Sequence, residues 1–176
     1  MRSQTVRLSP CGKGRVLIVA SEFPFREVIG VEISGTLAAM ARSNIAIVRR
    51  MFPTRSPIRV VVADAMTYAL PDGPVEIFLY RPFGEAGTAT LLAHIETALQ
   101  QRSHPLSIVY YNPVWGALFD DLPFLTRAHA LSVPYDQSVG FSPDVDDSVV
   151  IWQDRRFAKP PSLKAGRKIV VVATDT

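Results

Sequence analysis

Apolar segments of two kinds alternate along most of the chain. Short runs rich in branched and aromatic residues have the length of β-strands, and the longer segments between them carry apolar residues at helical spacing. Strands are predicted at Thr5–Ser9, Val28–Ile33, Ile58–Ala63, Val75–Tyr80 and Leu106–Tyr111. Helices are predicted at Lys13–Glu22, Gly35–Met51, Glu85–Arg102 and Val114–Asp121. This alternation is typical of a parallel sheet with helices on both faces.

Two of these elements allow more detailed predictions. The run Ile58–Ala63 is almost continuously apolar, which indicates a strand buried on both faces of the sheet. The helix that follows Ser34, its predicted N-cap, has one mainly apolar side. The residues on that side are Leu37, Met40, Ala41, Asn44 and Val48.

The pattern changes after Pro123. Phe124–Val133 and Ser148–Gln153 indicate two strands joined by a loop without helical periodicity, which favours an antiparallel hairpin at the edge of the sheet. The predicted fold is therefore α/β, a Rossmann-like doubly wound and mostly parallel sheet with an antiparallel edge hairpin. We expect one domain over residues 1–153, followed by a basic, proline-containing extension over residues 154–176.

Composition places this domain among globular proteins. The chain has 176 residues, of which 48% are hydrophobic and 20% charged, enough for a proper core. A net charge of +3 is too small to indicate nucleic acid by itself. The single cysteine, Cys11, excludes an internal disulfide, and neither a signal core nor a membrane-spanning run is present, so we expect a cytoplasmic protein.

Candidate chemistry is concentrated in the stretch from Cys11 to Ser34. Gly12 and Gly14 form a Gly-x-Gly turn after the first strand, and Glu32 ends the second strand. Glycines allow close approach of a ligand to the backbone, and an acid at the end of the next parallel strand accepts ribose hydroxyls. A nucleoside-containing cofactor is the first hypothesis, and glycines that only shape a turn are the alternative. The third glycine of a dinucleotide motif is absent, since Leu17 occupies its position, and the P-loop pattern is absent too.

Four pieces of the sequence together resemble the class I S-adenosylmethionine-dependent methyltransferases, over roughly Leu8 to Gln153. They are CGKGR, similar to the second half of the family's glycine motif, then VIGVEIS, VVADAM and IFLYRPFG. The resemblance implies S-adenosyl-L-methionine as the cofactor and a small-molecule or protein methyl acceptor. It assigns cofactor contacts to Cys11, Gly12, Gly14, Glu32, Ile33, Asp64, Ala65 and Tyr80.

The sequence departs from this family at several positions. Leu8 and Pro10 stand where the glycine motif opens with an acid and a glycine, and only ten residues precede Cys11. A non-catalytic methyltransferase-like fold that binds a nucleoside cofactor or a protein is therefore the alternative function. Arg81 stands where family members that methylate base amino groups often have Asn or Asp, and an arginine accepts no hydrogen bond from an amine.

The substrate is predicted to enter at the carboxyl edge of the sheet. Candidate acceptor contacts are Arg81, Pro82, Phe83 and Asn112, which suit a flat or apolar acceptor that bears a carboxylate or phosphate. No catalytic residue is assigned. The three histidines lack metal-ligand spacing, so no metal is expected. The basic extension leaves nucleic acid as a less favoured partner.

Overall fold

Apolar strands and amphipathic helices alternate in the computed structural model, which describes residues 5–9, 11–80, 82–134 and 146–158. The strands within these ranges are β1 (Thr5–Ser9), β2 (Glu27–Glu32), β3 (Ile58–Val62), β4 (Val75–Tyr80), β5 (Leu106–Tyr111), β6 (Leu125–Pro134) and β7 (Asp146–Asp154). The helices are α1 (Arg15–Ala20), α2 (Gly35–Met51), α3 (Glu85–Gln101) and α4 (Gly116–Asp120). In the described part of the chain, no helix is both long and apolar enough to cross a membrane.

All the strands belong to one sheet with the order β3-β2-β1-β4-β5-β7-β6. The first five strands pair in parallel, and β7 lies antiparallel between β5 and β6. The predicted doubly wound sheet with an antiparallel edge hairpin is therefore confirmed. The strand order reverses between β1 and β4, and in sheets of this kind ligands bind outside the carboxyl ends of the strands at that point.

Alternation along β4 divides its side chains between two apolar clusters. Val75, Ile77 and Leu79 are buried in a cluster with Ile95 of α3. Phe78, from the opposite face of the strand, packs against a second cluster, formed by Cys11, Leu17 of α1 and Val28 of β2. Helices therefore cover both faces of the sheet near its centre.

The prediction that Ile58–Ala63 is buried on both faces is wrong. β3 is the outermost strand on its side of the sheet, and its residues are half-buried or exposed, with Val62 48% exposed. A run of apolar residues fits an edge strand as well as a central one. Its place in the order depends on contacts far away in sequence.

The predicted inward side of α2 is wrong in part. Met40 and Asn44 are exposed, whereas the buried residues of this helix are Ala38 and Ala41. Helical periodicity is satisfied by both choices. Ala41 belongs to both sets, and its small side chain lies against the backbone at Gly14, where a Cβ would come within 3.1 Å of the Ala41 Cβ.

Candidate functional site

The loop from Cys11 to Gly14 joins β1 to α1 at the carboxyl edge of the sheet. Gly12 has φ +51° and Gly14 has φ +86°, backbone conformations that favour glycine. The Gly14 amide donates to the Cys11 carbonyl at 2.9 Å, and the Cys11 amide donates to the Val31 carbonyl at 3.2 Å. A Cβ on Gly12 would meet nothing within 4 Å. The turn is thus fixed to β2 and leaves open space beside the Gly12 peptide.

The carboxylate of Glu32 holds this loop and the start of α2 together. One oxygen accepts from the Gly12 amide at 2.9 Å, and the other accepts from the Ser34 amide at 3.0 Å. The residue is only 4% exposed. Two carboxylate oxygens offer about four acceptor positions, so the two amides leave acceptor capacity for a ligand.

The two residues after Glu32 differ in their surroundings. Ile33 is 71% exposed, which is unusual for a large apolar side chain at the end of a strand whose other residues are mostly buried. Ser34 is the N-cap of α2, as predicted, and its hydroxyl oxygen accepts from the Leu37 amide at 3.3 Å. The end of β2 therefore presents an apolar surface directly beside a buried carboxylate.

Asp64 and Ala65 follow β3 along the same edge. One carboxylate oxygen of Asp64 accepts from the Met66 amide at 2.8 Å, and no described residue donates to the other. Ala65 is buried in a small apolar cluster with Ile29 and Val31 of β2. The turn after β3 is thus packed onto the end of β2 and keeps one oxygen of Asp64 available.

The ends of β4 and β5 carry aromatic residues. The rings of Tyr80 and Tyr111 have centroids 5.1 Å apart at 47°, and Tyr111 is buried. Pro82 is half-buried, and Phe83, also half-buried, packs against two of the apolar clusters. Tyr80 ends β4 and directly precedes the predicted acceptor contacts in the chain. Phe83, one of those contacts, also packs in the core.

Asn112 ends β5 in a strained conformation, with φ +48°. Its amide donates to the Ser148 carbonyl at 2.7 Å, and its side-chain oxygen accepts from the Ser148 amide at 2.9 Å. These bonds hold the end of β5 against β7. Strained residues in a fixed frame are common at functional sites.

Cys11 is a buried thiol within the glycine loop. Burial, followed by the nearby Glu32 carboxylate, raises the pKa of the Cys11 thiol from 9.0 to about 11. The protonated thiol dominates at neutral pH, so Cys11 has the character of a small packing residue rather than of a nucleophile.

Comparison with known proteins shows the fold of the chain. No protein-family model and no curated protein matches the sequence. The N-methyltransferase NodS from Bradyrhizobium japonicum, solved with S-adenosyl-L-homocysteine, aligns with a TM-score of 0.60 and 11% identity, over 87% of this chain and 78% of NodS. Magnesium protoporphyrin IX methyltransferase (ChlM) from Synechocystis, solved with bound SAM, aligns at 0.59 and 10% identity, over 87% of this chain and 70% of ChlM.

TrmN from Thermus thermophilus gives a TM-score of 0.59 at 18% identity. The alignment covers 86% of this chain but 44% of TrmN, so this chain matches less than half of that protein. The chain has the class I methyltransferase fold. Identities this low show shared architecture alone, and the assignment of individual site residues still depends on the geometry of this chain.

Some of the predicted site residues lie in the described part of the chain, and others lie outside it. The loop glycines, Glu32 and Asp64 lie at the ends of adjacent elements, and one direct hydrogen bond joins Gly12 to Glu32. Pro10 and Arg81 lie outside the described residues, as does the side chain of Leu8. The proposed roles of these three stay predictions.

Two contributions to the site were not predicted from sequence. The Ser34 amide shares the Glu32 carboxylate with Gly12. The Asn44 side chain donates to the Lys13 carbonyl at 3.0 Å and supports the glycine loop from α2. Asparagine has a low helix propensity, so its position in the middle of α2 was a signal for a tertiary hydrogen bond.

Proposed function

We propose that this protein is an S-adenosylmethionine-dependent methyltransferase. The observation that carries the proposal is the Glu32 carboxylate, which bridges the amides of Gly12 and Ser34 at the carboxyl ends of β1 and β2, next to the point where the strand order reverses. A carboxylate held there by backbone amides is oriented before any ligand arrives. A preorganised acceptor loses little conformational freedom on binding.

The surrounding residues fit the two ends of a nucleoside. The acceptor capacity left on Glu32 suits the ribose hydroxyls, and the open space beside Gly12 lets the ligand reach this nearly buried carboxylate. Exposed Ile33 offers an apolar surface for the adenine ring, and the available oxygen of Asp64 accepts from its amino group. Ala65 and Tyr80 are the remaining proposed contacts of the cofactor.

Bound S-adenosylmethionine supplies an electrophilic methyl group on a sulfonium. Methyl transfer is an in-line displacement that depends chiefly on orientation and exclusion of water. In this chain, Tyr80 at the end of β4 packs on the buried Tyr111 ring and supplies an aromatic surface at the carboxyl edge of the sheet. Together with Arg81, it suits a flat, anionic small-molecule or protein acceptor.

The alternative function is a non-catalytic fold that binds a nucleoside cofactor or a protein. Leu8 and Pro10 favour it, because Leu8 does not provide the carboxylate and Pro10 does not provide the glycine with which this loop usually opens. If the alternative function is cofactor binding, the two functions share the nucleoside site and differ in whether methyl transfer follows. A turnover assay with candidate acceptors therefore separates them after binding is established.

The binding experiment is isothermal titration of the full chain with S-adenosylmethionine and S-adenosylhomocysteine. Glu32→Ala should weaken binding by about 1.5 to 3 kcal/mol, because hydrogen bonds from the ligand to a charged acceptor are lost. An unchanged affinity in this variant would remove Glu32 from the site.

The matched control is Glu27→Ala, at the opposite end of the same strand. Glu27 pairs with Arg59 at 3.0 Å on the surface and is remote from the glycine loop. Its removal should leave ligand affinity unchanged. Equal losses in both variants would indicate general damage to β2, and thermal unfolding of each unliganded variant measures that damage directly.

A further inference from the structure

Positive charge is strongly concentrated in one segment of the chain. Residues 35–62 contain five arginines and no aspartate, glutamate or lysine. This segment therefore carries +5, while the whole chain carries +3, so the remainder has a net charge of −2. The segment comprises α2, the following loop and β3, on one side of the sheet. Arg55 and Arg59 pair there with Glu22 and Glu27, so the excess positive charge comes from Arg42, Arg49 and Arg50.

A groove of about 800 Å³ lies between α2, the loop after it and β3. Four of the five arginines line it, and its described lining contains no carboxylate. Ile45 and Ile58 are among its apolar residues, and Phe52 lies at the end of α2. A groove with several cations and an apolar interior combines two features that bind polyanions bearing flat apolar groups.

Two of the four arginines are held in place by the protein. The Arg42 guanidinium donates to the Val60 carbonyl at 3.0 Å. Arg55 pairs with Glu22 at 2.9 Å and lies 4.2 Å from the centroid of the Phe52 ring. Since a guanidinium has five N–H donors, both arginines keep donors for a ligand while their positions are fixed.

Arg49 and Arg50 have no such anchors. Both are exposed, and neither forms a hydrogen bond or ion pair with any residue the structure describes. Both lie in the last turn of α2, where no described residue occupies their donors. These two side chains are thus available to a partner and contribute little to the fold.

We propose that this groove binds a single strand of nucleic acid. Arg42 and Arg49 are seven residues apart on α2, which corresponds to about 10 Å along a helix axis. A line of cations along a groove follows the phosphates of a bound strand. Guanidinium groups bind phosphates in a bidentate manner, and the 45% exposed Phe52 offers an aromatic surface for a base.

The groove is separate from the proposed cofactor site. Ser34 and Glu32 lie at the N-terminal end of α2, whereas Arg49, Arg50 and Phe52 lie at its C-terminal end, about 25 Å away along the helix. Binding of nucleic acid therefore does not depend on the methyltransferase proposal. Each proposal fails or succeeds in its own measurement.

The test is fluorescence anisotropy with labelled oligouridylate and oligothymidylate of about 12 nucleotides, a length within the usual site size. The wild-type chain should bind with log affinity falling linearly with log salt between about 50 and 200 mM. Arg49→Gln combined with Arg50→Gln should weaken binding about tenfold at the lower salt. It should also reduce the salt slope by about 1.4, since each phosphate contact on a single strand contributes about 0.7. Tighter binding of one oligonucleotide would identify the strand as RNA or DNA.

Arg26→Gln is the matched control, because Arg26 is an exposed arginine before β2 that does not line the groove. It should bind like wild type. Equal weakening by Arg26→Gln and the double variant would overturn the proposal, as would competition by poly-glutamate as effective as that by unlabelled RNA. The thermal unfolding midpoint of the double variant should match that of wild type, which shows that the variant is folded.

Discussion

Cys11 shows how a single residue links the loop to its surroundings. Its side chain is 5% exposed and packs with Leu17 and Val28 under the glycine loop. In the unfolded chain the thiol has the ordinary pKa of 9.0, whereas in the folded protein the pKa is about 11. The unfolded state therefore loses this proton first as the pH rises.

This difference predicts a pH-dependent contribution to stability. The contribution of Cys11 is fully present below pH 9.0 and is lost as the pH rises through about 11. Urea unfolding of the wild type should therefore show a decline in this window beyond that of Cys11→Ala. The variant is the control because lysines and tyrosines titrate over the same range in both proteins. Identical pH dependence of the two proteins would contradict the prediction.

At the scale of elements, the packing of α1 against β2 requires Gly30. A Cβ at this position would lie 2.5 Å from the Leu17 Cδ1 and 2.8 Å from the Cys11 Sγ. Gly30 is buried in the middle of β2, and both neighbours of the added Cβ are buried side chains of α1 and the glycine loop. The close approach of α1 therefore positions the glycine loop.

Gly30→Ala should destabilise the protein by about 1 to 3 kcal/mol, the usual cost of overpacking a buried site. Chemical denaturation measures this change in the free energy of unfolding. It should also weaken S-adenosylhomocysteine binding, because the loop shifts away from β2.

Gly35→Ala is the matched control for this substitution. A Cβ at Gly35 would meet nothing within 4 Å, and alanine at the start of a helix reduces the entropy of the unfolded chain. This variant should be as stable as wild type or more stable. Equal destabilisation by both substitutions would mean that contact with α1 is not the cause.

At the scale of the whole molecule, the end of β7 is joined to the end of α3. Asp154 is 1% exposed and accepts from the Arg156 side chain at 2.7 Å and 3.1 Å. Arg156 in turn donates to the carbonyls of Leu99 at 2.8 Å and Arg102 at 3.2 Å. The antiparallel edge of the sheet is thus bound to the helix that covers its parallel half.

Asp154→Asn should lower the thermal unfolding midpoint by several degrees. Asparagine has nearly the same size but removes the charge that orients Arg156, so the carbonyls at the end of α3 lose their donors. Differential scanning calorimetry measures the midpoint. Asp121→Asn, at an exposed acid, is the control and should leave the midpoint unchanged. A wild-type midpoint in Asp154→Asn would show that the two edges are held together by apolar packing alone.

The two proposed binding sites lie near different ends of α2. The start of this helix shares the Glu32 carboxylate with the glycine loop, and its last turns form one side of the basic groove. If both proposals are correct, one rigid element links nucleoside binding and nucleic-acid binding.

Local sequence alone determined the elements and much of the candidate site. The bounds of β1, β4, β5 and α2 agree with those predicted, because strand and helix periods and the Ser34 cap depend on near neighbours in the chain. The Gly12, Gly14 and Glu32 pattern also lies within a short stretch, so its spacing could be recognised without a structure.

Only the tertiary structure decided what each element faces. The position of β3 at the edge, the orientation of Ala41 toward Gly14 and the Ser34 bond to Glu32 all depend on contacts between elements. The basic groove likewise forms only when α2 packs beside β3. A repeating pattern specifies which residues share a side of an element, but the partner of that side is set by the folded arrangement of the whole chain.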